Sequence, residues 1–132
     1  MTGENVIHPI NIMKLPNIFE ADTQRENHAA GAVIFAAGQD GDIMYVVKSG
    51  EVAIQVNGKT VEVVAEDGFF GEMALIEDGP RTATAVAKTD CVLVPINERR
   101  FEFMVHEVPF FALHVMKGLS RRLRNVDASA QL

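Results

Sequence analysis

The sequence has little cysteine, few basic residues and no long apolar run, and each shortage excludes a class of protein. Cys91 is the only cysteine in 132 residues, so no disulfide can form within the chain. No stretch approaches the ~18 apolar residues of a membrane-spanning helix. The first residues lack a basic region followed by an apolar stretch, which a signal peptide would need. A reducing cytoplasm is therefore the expected location.

Basic residues are outnumbered, with 12 Lys and Arg against 18 Asp and Glu and a formal net charge of −6. A DNA duplex carries one negative charge per ~1.7 Å, so a free DNA-binding protein of this charge would need a concentrated basic face. A cluster of three arginines after Lys117, namely Arg121, Arg122 and Arg124, lies near the C-terminus. Such a cluster on one helix is usually a solvated face. We expect neither a nucleic acid nor a membrane as a partner.

Motifs of enzymes and metal sites are also missing. The histidines, at positions 8, 28, 106 and 114, have no metal-ligand spacing and form no His-X-His cluster of the cupin kind. The phosphate loop Gly-X4-Gly-Lys-Ser/Thr is absent. Phosphodiester hydrolysis would want a metal-bound water or a positioned base, and neither is visible. The sequence therefore predicts no metal, no cofactor, no catalytic residue and no enzyme.

Length and composition, with 48% hydrophobic and 23% charged residues, fit one globular domain. From about residue 28, short apolar segments alternate with glycine turns. Asn57-Gly58 between two of these segments indicates a tight hairpin. The segments are too short and too closely spaced for parallel crossovers, so they predict an antiparallel roll or barrel, jelly-roll-like. The predicted strands cover residues 33–35, 43–47, 52–56, 60–64, 82–87 and 91–96.

The last third of the chain changes to a helical period. Asn97 suits the N-cap of a helix at 97–107, and Pro109 suits the first turn of a second helix at 109–126. We expect residues 1–25 to be an N-terminal segment with some helical character and residues 26–132 to be the β-roll with these closing helices. The fold class is therefore α+β. An apolar stripe on the second helix contains Leu113, Met116, Leu119, Leu123 and Val126. Such a stripe more often packs on its own domain than forms a dimer seam, and the pattern leaves both alternatives open.

The segment from 69 to 84 joins two strands through a glycine loop, a short helical turn and a Gly-Pro turn. A helical turn starting near Glu72 offers backbone N–H groups that favour an anion. Arg81 can add charge-assisted contacts to a phosphate. The Glu72 carboxylate can only accept hydrogen bonds, which suits a ribose hydroxyl. Small residues that let the backbone approach a ligand are Gly71, Ala74 and Ala83. This arrangement indicates a nucleotide site.

The same segment resembles the phosphate-binding cassette of cyclic nucleotide-binding domains. These domains occur in catabolite activator proteins, protein kinase A regulatory subunits and cyclic-nucleotide-gated channels. Their pattern Phe-Gly-Glu-X-Ala-Leu is met at residues 70–75, and Pro-Arg-(Ala/Ser/Thr)-Ala is met at 80–83. A looser similarity covers about residues 30–126. The resemblance implies a phosphate-binding cassette helix in a β-roll that binds cAMP, or alternatively cGMP, and regulates an unidentified effector protein.

The family also implies a role for each matched position. Arg81 would bind the equatorial oxygen of the cyclic phosphate and Glu72 the ribose 2′-hydroxyl. Thr82 occupies a place where a hydroxyl can contact the phosphate or the 2-amino group of guanine, so cGMP stays open. The remaining ligand residues are Gly71, Met73, Ala74 and Ala83 in the cassette, Val61 and Val63 as an apolar bed for the base, and Arg122 or Arg124 as a stacked cap.

The sequence departs from fuller family members, which leaves a second hypothesis. The segment before the roll is short or altered, and the final helix has Arg124 to Asp127 where catabolite activators carry hydroxyl side chains. No DNA-binding, kinase-inhibitory or channel segment is recognised, so we expect a stand-alone domain that acts through its own surface. The alternative is a ligand-free β-roll interaction module, in which Glu72 and Arg81 form only a structural ion pair. The sequence leaves open the effector, the oligomeric state and the preferred nucleotide.

Overall fold

The computed structural model describes residues 24–130, including the side chains of residues 24–125. The N-terminal segment predicted for residues 1–25 therefore lies almost wholly outside the described residues. Within the described part, the chain divides between residues 101 and 102 into two compact units. The first unit contains the β-roll and the cassette.

The first unit consists of two antiparallel four-stranded sheets. Their strands are β1 (Glu26–His28), β2 (Val33–Phe35), β3 (Ile43–Ser49), β4 (Val52–Val56), β5 (Lys59–Val64), β6 (Phe69–Phe70), β7 (Thr84–Ala87) and β8 (Cys91–Asn97). One sheet has the order β1-β8-β3-β6 and the other the order β2-β7-β4-β5. The predicted antiparallel roll is confirmed. The barrel alternative is wrong, because each sheet ends at edge strands and the described strands form no closed ring.

The core of this unit forms where inward-facing residues of the two sheets meet. Val52 of β4 lies opposite Val64 of β5, and Val47 of β3 lies opposite Leu93 of β8. All four are almost completely buried and belong to one hydrophobic cluster. Cys91 belongs to the same cluster and is buried. Each buried aliphatic side chain stabilises the fold by about 1.5–3 kcal/mol.

The Asn57-Gly58 hairpin is confirmed. Asn57 has φ 54° and Gly58 has φ 77°, and the residues on either side, Val56 and Lys59, pair with each other. Positive φ at both central positions is what a type I′ turn requires, and its twist matches that of the two strands. The turn therefore sets the register of β4 and β5.

Gly58→Ala should lower the free energy of unfolding by about 1–2 kcal/mol, the cost of a left-handed conformation with a Cβ. A Cβ on Gly58 would meet no atom within 4 Å, so the loss comes from the backbone alone. Urea denaturation measures it, and Lys59→Ala at the neighbouring exposed position is the control, expected to change stability by less than about 0.5 kcal/mol. Equal effects of the two substitutions would contradict the assigned turn.

Two helices follow the last strand. Helix α2 (Glu98–Glu107) begins after Asn97, whose side-chain oxygen accepts a hydrogen bond from the N–H of Arg100 at 2.8 Å. Helix α3 (Pro109–Ala130) starts at the predicted proline and extends beyond the predicted end at 126. Val108 alone separates the two helices. In the described part of the chain, no helix combines the length and the apolar character needed to cross a membrane.

The apolar stripe predicted on α3 is not the buried face of this helix. Met116 and Leu123 are 59% and 64% exposed, whereas Phe111 and Val115 are buried. Successive helical residues are 100° apart, so 111 and 115 share a face that the stripe does not include. These two residues of the stripe are therefore mostly uncovered by the described part of the chain, and the side chain of Val126 lies outside the described residues.

Candidate functional site

The cassette backbone turns sharply after β6. Gly71 has φ 79°, a left-handed conformation that glycine adopts without strain. Glu72 then precedes α1 (Met73–Ile76), a single helical turn. The N–H of Leu75 donates to the Glu72 carbonyl at 2.9 Å, and the N–H of Ala74 donates to the Gly71 carbonyl at 3.2 Å. The predicted cassette helix is therefore present but very short.

Arg81 contacts four segments of the first unit, three through its side chain and one through its backbone. Its Nη2 donates to the Ile43 carbonyl at 2.8 Å, and its Nη1 donates to the Gly71 carbonyl at 3.2 Å. Its guanidinium carbon lies 3.9 Å from the centroid of the Phe35 ring. The Arg81 backbone N–H donates to the Gln39 carbonyl at 2.7 Å. The fold thus brings together two predicted site residues, Arg81 and Gly71, and adds contacts that the sequence did not indicate.

Two glycines leave the space that the Arg81 side chain fills. A Cβ on Gly41 would collide with Arg81 Nε and lie 2.7 Å from its guanidinium carbon. A Cβ on Gly71 would lie 3.0 Å from Arg81 Nη1 and 3.3 Å from the Phe35 ring. The sequence pattern indicates only that Gly41 is one of the glycines in the turns between predicted strands. Its place in the site follows from non-local packing.

The positive charge of this site is that of the Arg81 guanidinium itself. Burial lowers the pKa of the Arg81 guanidinium, whereas the phenol of Tyr45, once ionised, and the carboxylate of Asp42 act to raise it. Arginine nevertheless stays protonated, because its ordinary pKa is far above neutrality. Its Nε is buried and has no hydrogen-bond partner among the residues that the structure describes. A buried donor of this kind is costly unless satisfied, so it favours an incoming acceptor.

Tyr45 reports on this cation. Its pKa is raised, first by burial and then by the carboxylate of Glu26, whereas Arg81 acts to lower it. Its ring stacks on Phe70 with a centroid distance of 5.4 Å. Tyr45 is the only tyrosine of the chain, so its titration can be followed without overlap from another phenol.

Arg81→Leu should raise the pKa of Tyr45 still further, because it removes the nearby positive charge. A phenol pKa raised in the folded state contributes stability that is intact below the unfolded value of about 10 and is lost as pH rises through the folded value. We therefore expect the wild-type protein to lose stability in that alkaline window. Absorbance of the tyrosinate measures the pKa. A pKa that falls in the variant would contradict the geometry.

Glu72, Thr82 and Ala83 lie along the cassette. Glu72 is only 7% exposed, directly between Gly71 and α1. Thr82 is exposed and Ala83 half-buried in a bend, because β7 begins at Thr84 and not at the predicted residue 82. The reason is local: the Arg81 backbone pairs with the loop at residues 38–39, so the next two residues do not join the sheet.

Val61 and Val63, which were predicted to form an apolar bed for the base, lie on the surface of β5. Val61 and Val63 on β5 are 59% and 40% exposed, so they are surface residues. Glu62 lies opposite Ile54 and Thr60 opposite Gln55, which leaves Val61 as the extra residue of a β-bulge. Met73, the first residue of α1, is also exposed.

Arg122 and Arg124, the predicted capping residues, belong to α3 in the second unit. Arg122 is half-buried and Arg124 is exposed. The contacts around Arg81 described above all come from the first unit. Among residues 24–130, no group of His, Cys, Asp and Glu could hold a metal ion.

The first unit is a β-roll of two antiparallel sheets. It carries a cassette with Gly71 and Glu72 and a hydrogen-bonded Arg81, which suit an anionic ligand. The model of the cyclic nucleotide-binding domain matches residues 25–107. The chain belongs to the family of cyclic nucleotide-binding domains.

Individual relatives agree with this membership. The cAMP-dependent protein kinase regulatory subunit of Candida albicans is 33% identical over 120 residues, which cover 83% of this chain and 26% of the relative. The cyclic AMP receptor protein of Thermus thermophilus is 32% identical over 114 residues, covering 83% of this chain and 53% of the relative. The crystal structure of the Thermus thermophilus catabolite activator protein superposes with a TM-score of 0.75 at 27% identity, covering 96% of this chain and 60% of that one. The chain thus spans about a quarter to a half of these curated relatives.

Proposed function

We propose that this domain is a cyclic nucleotide sensor that binds cAMP, with cGMP as the second choice, and that it is not itself an enzyme. The observation that carries the proposal is the position of the Arg81 guanidinium, which donates hydrogen bonds to the carbonyls of Gly71 and of Ile43 at the start of β3. Family membership supports a cyclic nucleotide as the ligand. The names of the kinase and receptor relatives support cAMP as the first choice.

Each part of the nucleotide has a partner in this proposal. Arg81 supplies the positive charge and a buried, unpartnered Nε donor for the cyclic phosphate. Glu72 supplies an acceptor for the ribose 2′-hydroxyl, and Thr82 is exposed where a phosphate or a guanine could use its hydroxyl. The cassette residues Met73, Ala74 and Ala83 line the ligand, Val61 and Val63 form the apolar bed of the base, and Arg122 or Arg124 caps it.

The regulatory output in this proposal is a movement of α3. Only Val108 separates α2 from α3, and its N–H donates to the Met104 carbonyl at 2.8 Å. Pro109 has no N–H, so the next backbone donor of the junction is missing. We therefore place the hinge between α2 and α3 at the Val108–Pro109 junction. Nucleotide binding shifts α3 only to the extent that the nucleotide prefers one position of the helix.

An effector protein reads the position of α3 in this proposal, with no nucleic acid or membrane as a partner. The compartment is a reducing cytoplasm, which the single buried thiol of Cys91 supports. The closing helices at 97–107 and 109–126 act together with the roll of residues 26–132 as one regulatory domain.

A thermal-shift experiment tests the proposal. A ligand that binds only the folded state at a hundred times its Kd stabilises it by about 2.7 kcal/mol, so cAMP should raise the melting temperature by several degrees. The open-chain nucleotide 5′-AMP is the matched control and should give a much smaller rise. No shift with millimolar cAMP or cGMP would overturn the proposal.

A ligand-free interaction module is the second candidate, and one observation favours it. Both Nη groups of Arg81 already donate to backbone carbonyls, so the residue has a structural role without any ligand. In that case Arg81→Ala would lower the melting temperature, and no nucleotide would raise that of the wild type.

A further inference from the structure

Phe35 presents the face of its ring to Arg81. The distance of 3.9 Å from the guanidinium carbon to the ring centroid is well inside the ~6 Å limit of a cation–π contact. Phe35 is the last residue of β2, on the opposite sheet from Ile43, whose carbonyl accepts from Arg81 Nη2. The ring and the carbonyl therefore hold the guanidinium from different sheets.

The ring of Phe35 is itself fixed by other aromatic rings. It packs against Phe70 at a centroid distance of 5.8 Å and a tilt of 41°. It stacks on Tyr45 at 6.3 Å with an interplanar angle of 27°. Phe70 is buried in the core and pairs with Tyr45 across β3 and β6. A ring supported in this way has a defined plane, and the guanidinium carbon lies over its face.

An arginine needs such support because its side chain is long. Holding it in one geometry costs side-chain rotamer entropy. The carbonyls of Ile43 and Gly71 fix the two Nη groups, but two hydrogen bonds leave rotation about the line that joins the acceptors. A flat aromatic face on one side removes that freedom. An aliphatic side chain would fill the space but would not orient the cation.

We propose that Phe35 is a positioning residue for anion binding, because its ring face holds the Arg81 guanidinium in the orientation that receives the phosphate. The inference rests on the proposed function and names a determinant that lies outside the cassette motif. Phe35 acts through Arg81 and needs no contact with the nucleotide itself.

Binding measurements give the first test. Phe35→Leu, which keeps an apolar side chain but removes the ring face, should weaken cAMP binding by about three- to thirtyfold. Phe35→Trp should bind cAMP with an affinity close to that of wild type, because indole presents the strongest cation–π face. Both variants are compared with wild type by calorimetric titration after a thermal melt has verified folding. Equal weakening by leucine and tryptophan would overturn the proposal, since loss of fit alone would explain it.

The Tyr45 pKa gives a second test that needs no nucleotide. Arg81→Leu raises this pKa by the amount that the guanidinium contributes, and we expect that rise to be clearly smaller when Phe35→Leu is also present, because the cation is then no longer held near Tyr45. Comparing the rise in the two backgrounds cancels the direct effect of Phe35 on the phenol. The same rise in both would overturn the proposal.

The two tests separate this inference from the proposed function. If wild type binds neither cAMP nor cGMP, the proposed function fails. The claim that Phe35 orients Arg81 for an anion then fails with it. The Tyr45 titration then still reports whether Phe35 orients Arg81. If wild type binds but Phe35→Leu binds equally well, the sensor assignment stands and the positioning role is lost.

Discussion

Arg81→Ala should weaken cAMP binding by about ten- to hundredfold, because a hydrogen bond to a charged group contributes about 1.5–3 kcal/mol. The substitution removes the cation and the buried Nε donor together. It also leaves the Ile43 and Gly71 carbonyls without their donor, so a modest loss of thermal stability accompanies the loss of affinity. Isothermal titration calorimetry measures the affinity, and a thermal melt measures the stability.

Two further variants sharpen the reading of Arg81→Ala. Arg81→Lys keeps the charge but cannot reach two carbonyls with a planar fork, so its affinity should fall between wild type and alanine. Arg99→Ala, at an exposed arginine of α2, is the matched control and should bind as wild type does. An unchanged affinity in Arg81→Ala would remove the cassette assignment.

Gly41→Ala should also weaken nucleotide binding by about tenfold or more, although Gly41 lies outside the cassette motif, thirty residues before Gly71. The added Cβ would clash with Arg81 Nε and lie 2.7 Å from the guanidinium carbon. The arginine must then leave its two carbonyls, and a misplaced charged hydrogen bond costs about 1.5–3 kcal/mol. Calorimetric titration with cAMP measures the loss.

Gly31→Ala is the control for Gly41→Ala. Gly31 has φ 90° and open space around it, so alanine there strains the backbone without touching Arg81. Gly31→Ala should therefore lower stability and leave affinity unchanged. Wild-type affinity in Gly41→Ala would show that Arg81 is not confined as the structure has it.

Much of the fold could be predicted because its determinants are local. Asn57-Gly58 specifies a hairpin from two adjacent residues, and the positive φ values of both were foreseeable. Asn97 and Pro109 mark the starts of the two helices by equally local chemistry. The strands β1 and β6 were missed because three and two residues carry no measurable alternation. They exist only because β8 and β3 pair with them from far along the chain.

The candidate site was predictable to a lesser extent. The motif indicated Arg81 and Gly71, and the structure joins them by a hydrogen bond of 3.2 Å. The motif could not indicate that the carbonyl of Ile43 accepts a hydrogen bond from Arg81, because every residue type has a backbone carbonyl. Phe35 looked like an ordinary strand residue, and its role depends on which ring faces which cation after folding. The only available clue to Gly41 was its place in a glycine-containing turn.

Calorimetric titration of the nucleotide-stripped protein with cAMP tests the central claim most directly. Our account predicts saturable binding of one nucleotide per domain, strongly weakened in Arg81→Ala and unchanged in Arg99→Ala. Absence of saturable heat with millimolar cAMP and cGMP, in a protein that melts cooperatively, would contradict the sensor function and leave the ligand-free interaction module.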